Sequence, residues 1–174
     1  GSYRSNGLDQ FYTAKYDGLD GHLIWDVIEG AANADLVPAS VAVDASDNVV
    51  VTGTRNVSGA IDFYTVKYKA ADGGLFWVSP AIYNGTASGA DTAVKVVINK
   101  DGDPVVTGTS RGDNGNPTGD DIVTIKYAAS NGAQTALHRF TTAGSRNDFA
   151  TSMAADPDGS IVVGGAANTA SGFL

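Results

Sequence analysis

The chain has 174 residues, 22 glycines, no cysteine and a net charge of −8. This negative charge argues against a nucleic-acid partner, because phosphate contacts require clusters of lysine and arginine. The absence of cysteine excludes a disulfide framework and thiolate chemistry. Of the 19 acidic residues only Glu29 is a glutamate, and a composition rich in Asp and Gly favours turns over helices. No apolar run is long enough to span a membrane.

Strand-like runs follow one another along the whole chain, recognisable by alternating apolar and polar residues or by consecutive valines. The first two are QFYTAKY at 10–16 and HLIWDVI at 22–28. The next four are SVAVD at 40–44, VVVTGT at 49–54, DFYTVKY at 62–68 and LFWVSPAIY at 75–83. They are followed by KVVIN at 95–99, PVVTGT at 104–109, DIVTIKY at 121–127 and QTALHRF at 134–140. The last two are SMAAD at 152–156 and IVVGGA at 161–166.

These runs form a repeat with two independent anchors. The lysine of the DFYTVKY heptad recurs at intervals of 52 and 59 residues, at Lys15, Lys67 and Lys126. A glycine of the valine-rich run recurs at intervals of 55 and 57 residues, at Gly53, Gly108 and Gly165. Each unit therefore holds four runs, which we name strands a (SVAVD), b (VVVTG), c (FYTVKY) and d (the run that carries tryptophan in two units).

Four antiparallel strands in a repeat of roughly 55 residues are typical of a β-propeller blade. A parallel β-solenoid also repeats, but its coils are shorter and lack hairpin turns. We expect an all-β fold consisting of a single blade array over residues 1–174. Its expected units are a half blade at 1–30, blades at 36–83 and 91–141, and a second half blade at 148–166.

The chain resembles the seven-bladed β-propeller repeat family of bacterial surface and secreted proteins. The stretches that carry the resemblance are QFYTAKYDGLDGHLIW (10–25), DFYTVKYKAADGGLFW (62–77), DTAVKVVINKDGDPVVTGT (91–109) and, in part, DFATSMAADPDGSIVVGG (148–165). The resemblance implies propeller blades, no shared catalytic residues, and an extracellular or cell-surface location. Two departures are Ala136, where the other units have Trp25 or Trp77, and Leu36–Pro38 in place of the usual D-x-A.

The expected half blades suggest how the chain associates. The first would hold only strands c and d and the last only strands a and b, which leaves about three blade equivalents where propellers close with 4–8. The unpaired strand edges would lie at Phe11, Thr13 and Lys15 in the first unit and at Ile161 and Val163 in the last. Either copies join head to tail, as a ring or a filament, or residues outside this sequence supply more blades.

Few residues suggest chemistry. His22 and His138 belong to no catalytic motif, so we expect no enzyme activity. The weak metal candidates are Asp113, Asp120 and Asp121, in a loop that could take calcium; no other cofactor is expected. Asp101 and Asp158 fit hairpin turns better than metal loops. Asn56 and Asn84 are glycosylation sequons in predicted loops.

The sequence thus predicts a non-catalytic structural or interaction module, exported or at the cell surface, whose partners are other copies of itself. One alternative is a propeller that binds a carbohydrate or another polymer, with Trp25 and Trp77 available to stack on sugars, although their repeated position favours packing between blades. A second alternative is part of a larger propeller enzyme, such as a polysaccharide lyase or glycosidase.

Overall fold

The computed structural model describes residues 1–31, 33–87, 89–112, 119–144, 146–169 and 172–173, with side chains up to Asn168. These residues contain strands, turns and bends but no helix, which confirms the all-β prediction. Accordingly, the described part of the chain has no helix that could cross a membrane.

The strands form four antiparallel sheets, which we number 1 to 4 in chain order. Sheet 1 holds β1 (Ser2–Ser5), β2 (Leu8–Tyr16) and β3 (Leu23–Glu29). Sheet 2 holds β4 (Asp35–Val43), β5 (Val49–Val57), β6 (Ala60–Tyr68) and β7 (Ala81–Tyr83). Sheet 3 holds β8 (Asp91–Ile98), β9 (Pro104–Arg111), β10 (Asp120–Tyr127) and β11 (Gln134–Phe140). Sheet 4 holds β12 (Asp148–Ala155), β13 (Ile161–Thr169) and β14 (Gly172–Phe173).

Within each sheet the strands are paired in chain order, each with the next by a hairpin. The a–b hairpins turn on aspartate and asparagine, as predicted. In one of them Asp158 Oδ1 accepts a hydrogen bond from Ser160 N at 2.8 Å, and Gly159 has a φ of 97°. In another, Asn99 Oδ1 accepts from the backbone N of Asp101 at 3.0 Å. The side chains of Asp158 and Asn99 thus hold these turns, whereas the carboxylate of Asp101 pairs with Lys100 Nζ at 2.8 Å.

Sheet 1 has one strand more than the sequence analysis expected. Ser2–Ser5 folds back on β2 through a two-residue turn at Asn6 and Gly7, whose φ angles are 52° and 82°. An Asn-Gly pair with two positive φ angles is the type I′ turn that favours a hairpin. Sheet 4 likewise continues to β14, past residue 166, where the sequence analysis ended the last unit.

The run at 75–83 is mostly not a strand. Only Ala81–Tyr83 forms β7, and Leu75 makes an isolated bridge with Tyr68. Pro80 has no N–H to donate to a ladder, so the run bends before β7 begins.

Consecutive sheets pack face to face. β8 is strand a of sheet 3, and it contacts β4 and β12, which are strand a of sheets 2 and 4. Between sheets 1 and 2, β2 contacts β4. One buried apolar cluster joins sheets 1 and 2 around Phe11, Trp25 and Tyr68. A second cluster joins sheets 2 and 3 around Phe63 and Trp77. The core therefore lies between the sheets, so an interior sheet buries both of its faces.

A glycine on strand b permits this close packing. A Cβ on Gly108 would lie 2.5 Å from Cζ of Phe63 and 2.8 Å from the Cα of Ala93. A Cβ on Gly53 would meet Phe11 at 2.9 Å and collide with the backbone of β4. The repeating glycine that anchored the sequence analysis is thus the point where strand c of the preceding sheet packs against strand b.

Candidate interaction edges

The outer edge of β2 is only partly open. Ser2 pairs with Phe11, and Tyr12 N donates to Gly1 O at 2.7 Å, so β1 covers the first half of the strand. The expected open edge therefore has to be corrected: Phe11 is covered, and the open stretch is Thr13–Tyr16. Backbone groups alternate in direction along an antiparallel strand, so those of Ala14 and Tyr16 face outward with Tyr12, and those of Thr13 face β3.

The outer edge of β13 is open over most of its length. Within the described residues, β13 pairs with β12 on one side and with β14 only through Asn168 and Thr169 on the other. Gly165 occupies the position that Gly53 has in sheet 2, where Gly53 pairs with Tyr64 of strand c. By the same alternation, the backbone groups of Ile161 and Val163 face outward, as the sequence analysis predicted.

Two apolar side chains at these edges are exposed, although the same positions in the other sheets are buried. Val162 is 56% exposed, whereas its equivalents Val50 and Val105 are only 0% and 3% exposed. Tyr16 is also 56% exposed, whereas its equivalents are 0% and 2% exposed, at Tyr68 and Tyr127. The terminal sheets therefore carry core-type residues on surfaces that interior sheets cover.

A threonine hydroxyl in sheet 1 also lacks the neighbouring strand that its equivalents in sheets 2 and 3 have. In sheet 2, Thr65 Oγ1 of strand c lies 2.8 Å from Thr52 Oγ1 of strand b. The corresponding pair in sheet 3 is separated by 3.1 Å. Thr13 holds this position in sheet 1, where no strand b lies beside it, and its buried hydroxyl has no hydrogen-bond partner among the described residues.

Two grooves flank the open edges. Groove A, of about 350 Å³, lies between sheets 3 and 4 and is lined by Ile122, Thr124, His138, Phe140 and Val163 among others. Groove B, of about 340 Å³, lies between sheets 1 and 2 and is lined by Thr13, Ala14, Val41 and Val51 among others. Each groove lies where a terminal sheet lacks strands that the interior sheets possess.

The lysine and tryptophan of the first two repeats hold the next sheet through one turn carbonyl. At the junction of sheets 1 and 2, Trp25 Nε1 donates to Ala70 O at 2.9 Å, and Lys15 Nζ donates to the same oxygen at 3.3 Å. The indole also lies against Gly73, where an added Cβ would be 2.8 Å from the ring. Trp25 is 7% exposed and Trp77 is 1% exposed, so both are core residues, as favoured over sugar stacking.

The junction of sheets 2 and 3 repeats this arrangement and adds a buried ion pair. Trp77 Nε1 and Lys67 Nζ both donate to Ala129 O, at 3.0 and 3.1 Å. Lys67 Nζ also lies 2.8 Å from Asp44 Oδ2, and the side chains are 2% and 9% exposed. Burial alone would raise the pKa of Asp44, but hydrogen bonds from Lys67, Asn48 and the turn backbone lower the pKa to about 2. At this junction the repeated lysine is thus part of a buried ion pair.

At the other end of the sheets, buried aspartates hold the loops. Asp91 accepts from Gly85 N at 2.6 Å, and Asp148 accepts from Thr142 N at 2.7 Å, so strand a anchors the loop that precedes it. Burial raises the pKa of Asp91 above its ordinary value. Asp121 is fully buried and pairs with Arg139 at 2.8 Å.

The proposed calcium loop does not form one cluster among the described residues. Asp113 lies outside them, and Asp120 and Asp121 are successive residues of β10, so they point to opposite faces. Asp121 is engaged by Arg139, which leaves little negative charge for a metal ion. The one group of three potential ligands in the described part of the chain is Asp17, Asp20 and His22, which the sequence analysis missed. Its residues are mostly exposed, and His22 Nδ1 lies 2.5 Å from Asp20 Oδ1.

The sequons and histidines lie in different settings. Asn84 is exposed in the loop before β8, as predicted. Asn56, however, lies within β5 and pairs with Asp35 and Ile61, so its predicted loop position is wrong. His138 is exposed and lines groove A, whose lining in the described part of the chain includes the hydroxyl of Thr124 and no carboxylate. No protein-family model matches the chain, and no curated protein matches it.

Proposed function

We propose that the four sheets are β-propeller blades, two complete and two partial, and that the chain joins a second copy through strand b of sheet 4 and strand c of sheet 1. The observation that carries the proposal is the 56% exposure of both Val162 and Tyr16 at positions that are 0–3% exposed in the interior sheets. Exposed apolar side chains beside open strand edges favour association with another chain.

The repeat supplies the register of the join. In sheet 2, Val49 pairs with Tyr68 and Val51 pairs with Val66. Sheet 3 has the corresponding register between β9 and β10. In the same register, Ile161 of one copy lies opposite Tyr16 of the next, and Val163 lies opposite Ala14. Each N–H paired in this way contributes about 0.5–1.5 kcal/mol.

The side chains beside the join fit the two grooves. Tyr64 and Tyr68 of β6 pack on the preceding sheet, where Tyr64 meets Phe11 edge to face at 5.5 Å between ring centroids. Tyr12 and Tyr16 occupy the same positions in β2 and would enter groove A of the neighbouring copy. Val162 would enter groove B, as its equivalent Val50 enters the core between sheets 2 and 3.

Such a contact joins two different surfaces, so it either closes into a ring or continues as a filament. Two copies would supply about six blade equivalents, within the range of 4–8 in which propellers close. The module is thus structural and non-catalytic in this proposal. Its resemblance to surface and secreted repeats supports an exported or cell-surface location.

The test is to place a charge at the join. Val162→Glu would put a carboxylate into groove B and is expected to keep the protein monomeric at concentrations where the unaltered protein assembles, because burying an unpaired charge is unfavourable. Val78→Glu is the matched control, since Val78 is 99% exposed and away from both edges. Sedimentation velocity over a range of concentrations gives the particle mass.

Unaltered protein that stays a folded monomer throughout the concentration series would refute the proposal. Equal assembly of the Val162→Glu and Val78→Glu variants would show that the copies associate through another surface.

A further inference from the structure

β1 occupies the site on strand c that a second copy needs. In sheet 1, Ser2 pairs with Phe11 and Ser5 pairs with Leu8. In sheet 2 the same places beside strand c are taken by the end of strand b, since Thr54 pairs with Phe63 and Val57 pairs with Ala60. The end of strand b in sheet 4 is Ala166–Thr169. Ser2–Ser5 of one copy and Ala166–Thr169 of another would therefore pair with the same residues of β2.

Only a short contact is possible while β1 stays in place. Thr13–Tyr16 can pair with the first residues of β13, but Gly1 already holds Tyr12 at 2.7 Å, where Gly165 of the second copy would lie. If the two copies pair in full register, β2 must accept Gly165 and the four residues after it, Ala166–Thr169. β1 and the end of β13 therefore compete for β2.

Of the two competing segments, β1 is held more weakly. It pairs with β2 on one side and with no strand on the other among the described residues, and Tyr3 is 46% exposed. The end of β13 is anchored from behind: Asn168 N donates to Asp148 Oδ1 at 3.1 Å, and Asn168 O accepts from Thr142 Oγ1 at 3.0 Å. When β13 of a second copy replaces β1 on β2, a strand that is paired on one side only gives way to a strand that is already held in its own sheet.

We infer that β1 is a displaceable cover, and that a second copy docks fully only when its Ala166–Thr169 segment replaces Ser2–Ser5 on β2. Asn168 and Thr169 must then exchange their own partner β14 for β2. This inference rests on the proposed association of copies. In the free chain β1 and Gly1 satisfy the outward N–H and C=O groups of Leu8, Gln10 and Tyr12, which reduces the exposed edge to Thr13–Tyr16. Assembly is then limited by release of β1 as well as by encounter between copies.

A reversible lock on β1 tests the inference. Arg4 and Asp9 face each other as a pair without direct hydrogen bonds, because Gly1 and Tyr12 three positions away exchange both of theirs. Such a pair has a Cα separation of about 4.5 Å, within the range that a disulfide accepts. Since the chain has no cysteine of its own, Arg4→Cys/Asp9→Cys would form one defined bond.

We expect the oxidised form of this variant to assemble about tenfold more weakly than its reduced form, as measured by sedimentation velocity. The matched control is Asn56→Cys/Ile61→Cys, which places the same bond at the equivalent pair of sheet 2. In the control, oxidation leaves assembly unchanged, since β5 does not leave β6 in the join.

A second variant loosens β1. Tyr3 and Gln10 are a hydrogen-bonded pair by the same alternation, so Tyr3→Pro removes a donor from β1 without altering β2. We expect it to increase assembly at a given concentration by several-fold. Equal assembly of the oxidised and reduced locks, or unchanged or weaker assembly with Tyr3→Pro, would overturn the exchange while leaving association of copies intact. Failure of the unaltered protein to assemble would instead remove the proposed function itself.

Discussion

Sheets 2 and 3 are built alike but buried differently. Both have four strands in the same order, the same register between strands b and c, and a glycine of strand b against the preceding sheet. Yet Lys67 in sheet 2 is 2% exposed and Lys126 in sheet 3 is 36% exposed. Each pairs with an aspartate of its own sheet, Asp44 at 2.8 Å and Asp103 at 3.1 Å. The difference comes from the next sheet, since only Lys67 is covered by a following c–d turn.

Strand c shows the same effect along its whole length. In β6 all seven residues from Asp62 to Tyr68 are buried, because sheets lie on both faces. In β10 the residues that face sheet 2 are buried, while Ile122, Thr124 and Lys126 on the other face are partly exposed. One repeated pattern thus has two environments, and the neighbouring sheet decides which residues are core.

Trp77→Ala should have the largest effect on stability. Its indole is 1% exposed, packs on Gly132 and Tyr127, and donates to a turn carbonyl of sheet 3, so truncation leaves a cavity and should cost about 3–5 kcal/mol of unfolding free energy. Ala136→Trp fills the equivalent but exposed position of sheet 3 and should change stability by less than about 0.5 kcal/mol. Urea unfolding followed by circular dichroism measures both. Similar losses in the two variants would contradict the comparison.

Asp44→Asn should cause the second-largest loss of unfolding free energy, because it leaves Lys67 buried without a counter-charge. Asparagine keeps an acceptor for the turn N–H groups, so the loss is expected near the lower end for a broken buried pair, at about 3 kcal/mol. Asp103→Asn removes the partner of the more exposed Lys126 and should cost about 0–1 kcal/mol. Urea unfolding at neutral pH compares the two, and an equal cost would show that burial does not distinguish these pairs.

The Asp44 contribution should also depend on pH with a defined sign. Its pKa is lowered from 3.8 to about 2 in the folded chain, so the contribution is complete above about pH 4 and is lost as the pH falls towards 2. The difference in unfolding free energy between the unaltered protein and Asp44→Asn should therefore narrow over that interval. A difference that widens on acidification would contradict the assigned ion pair.

Gly108→Ala should destabilise the junction of sheets 2 and 3 by about 1–3 kcal/mol, because the added Cβ meets Phe63 and the backbone of β8. Gly164→Ala is the control, since nothing lies within 4 Å of the added Cβ in sheet 4. The folded monomer should tolerate this change or gain slightly from it, as Ala costs less conformational entropy than Gly. Thermal unfolding at a concentration below assembly separates the two variants.

Gly164→Thr should have the smallest effect, and on association instead of folding. Gly164 holds the position of Thr52 and Thr107, so a threonine there could supply the hydroxyl that Thr13 of the next copy lacks. We expect association to strengthen by about 0.5–1.5 kcal/mol, measured as a lower dissociation constant in sedimentation equilibrium. Gly164→Val, which adds similar volume without a hydroxyl, is the control; an equal gain would exclude the hydroxyl pair as the cause.

Much of the fold was predictable because its signals are local. Alternating residues and Asp- or Gly-rich turns located most of the strands and hairpins, and the two anchors related them to one another. The same periodicity identified Trp25 and Trp77 as core residues. The short β1 and β14 were missed because a stretch such as Ser2–Ser5 has little apolar alternation of its own. The length of β7 was overestimated because Pro80 interrupts an otherwise apolar run.

The candidate site was less predictable. The sequence analysis assigned open edges to strands c and b of the terminal units, but β1 covers Phe11, which a pattern of side chains cannot reveal. The group formed by Asp17, Asp20 and His22 was missed because its members serve the turn between β2 and β3 and match no metal motif. Its only sequence signal is three potential ligands within six residues.

By itself the sequence determined the all-β class, the repeat of about 55 residues, and the residues that would be equivalent from one unit to the next. Hydrogen-bond direction and side-chain alternation repeat every two residues, so they are readable from a short stretch. Which of these equivalent positions are buried follows from how the sheets pack on one another. Burial depends on whether another sheet lies opposite, and that contact involves residues about 50 positions away or, in our proposal, a second copy of the chain.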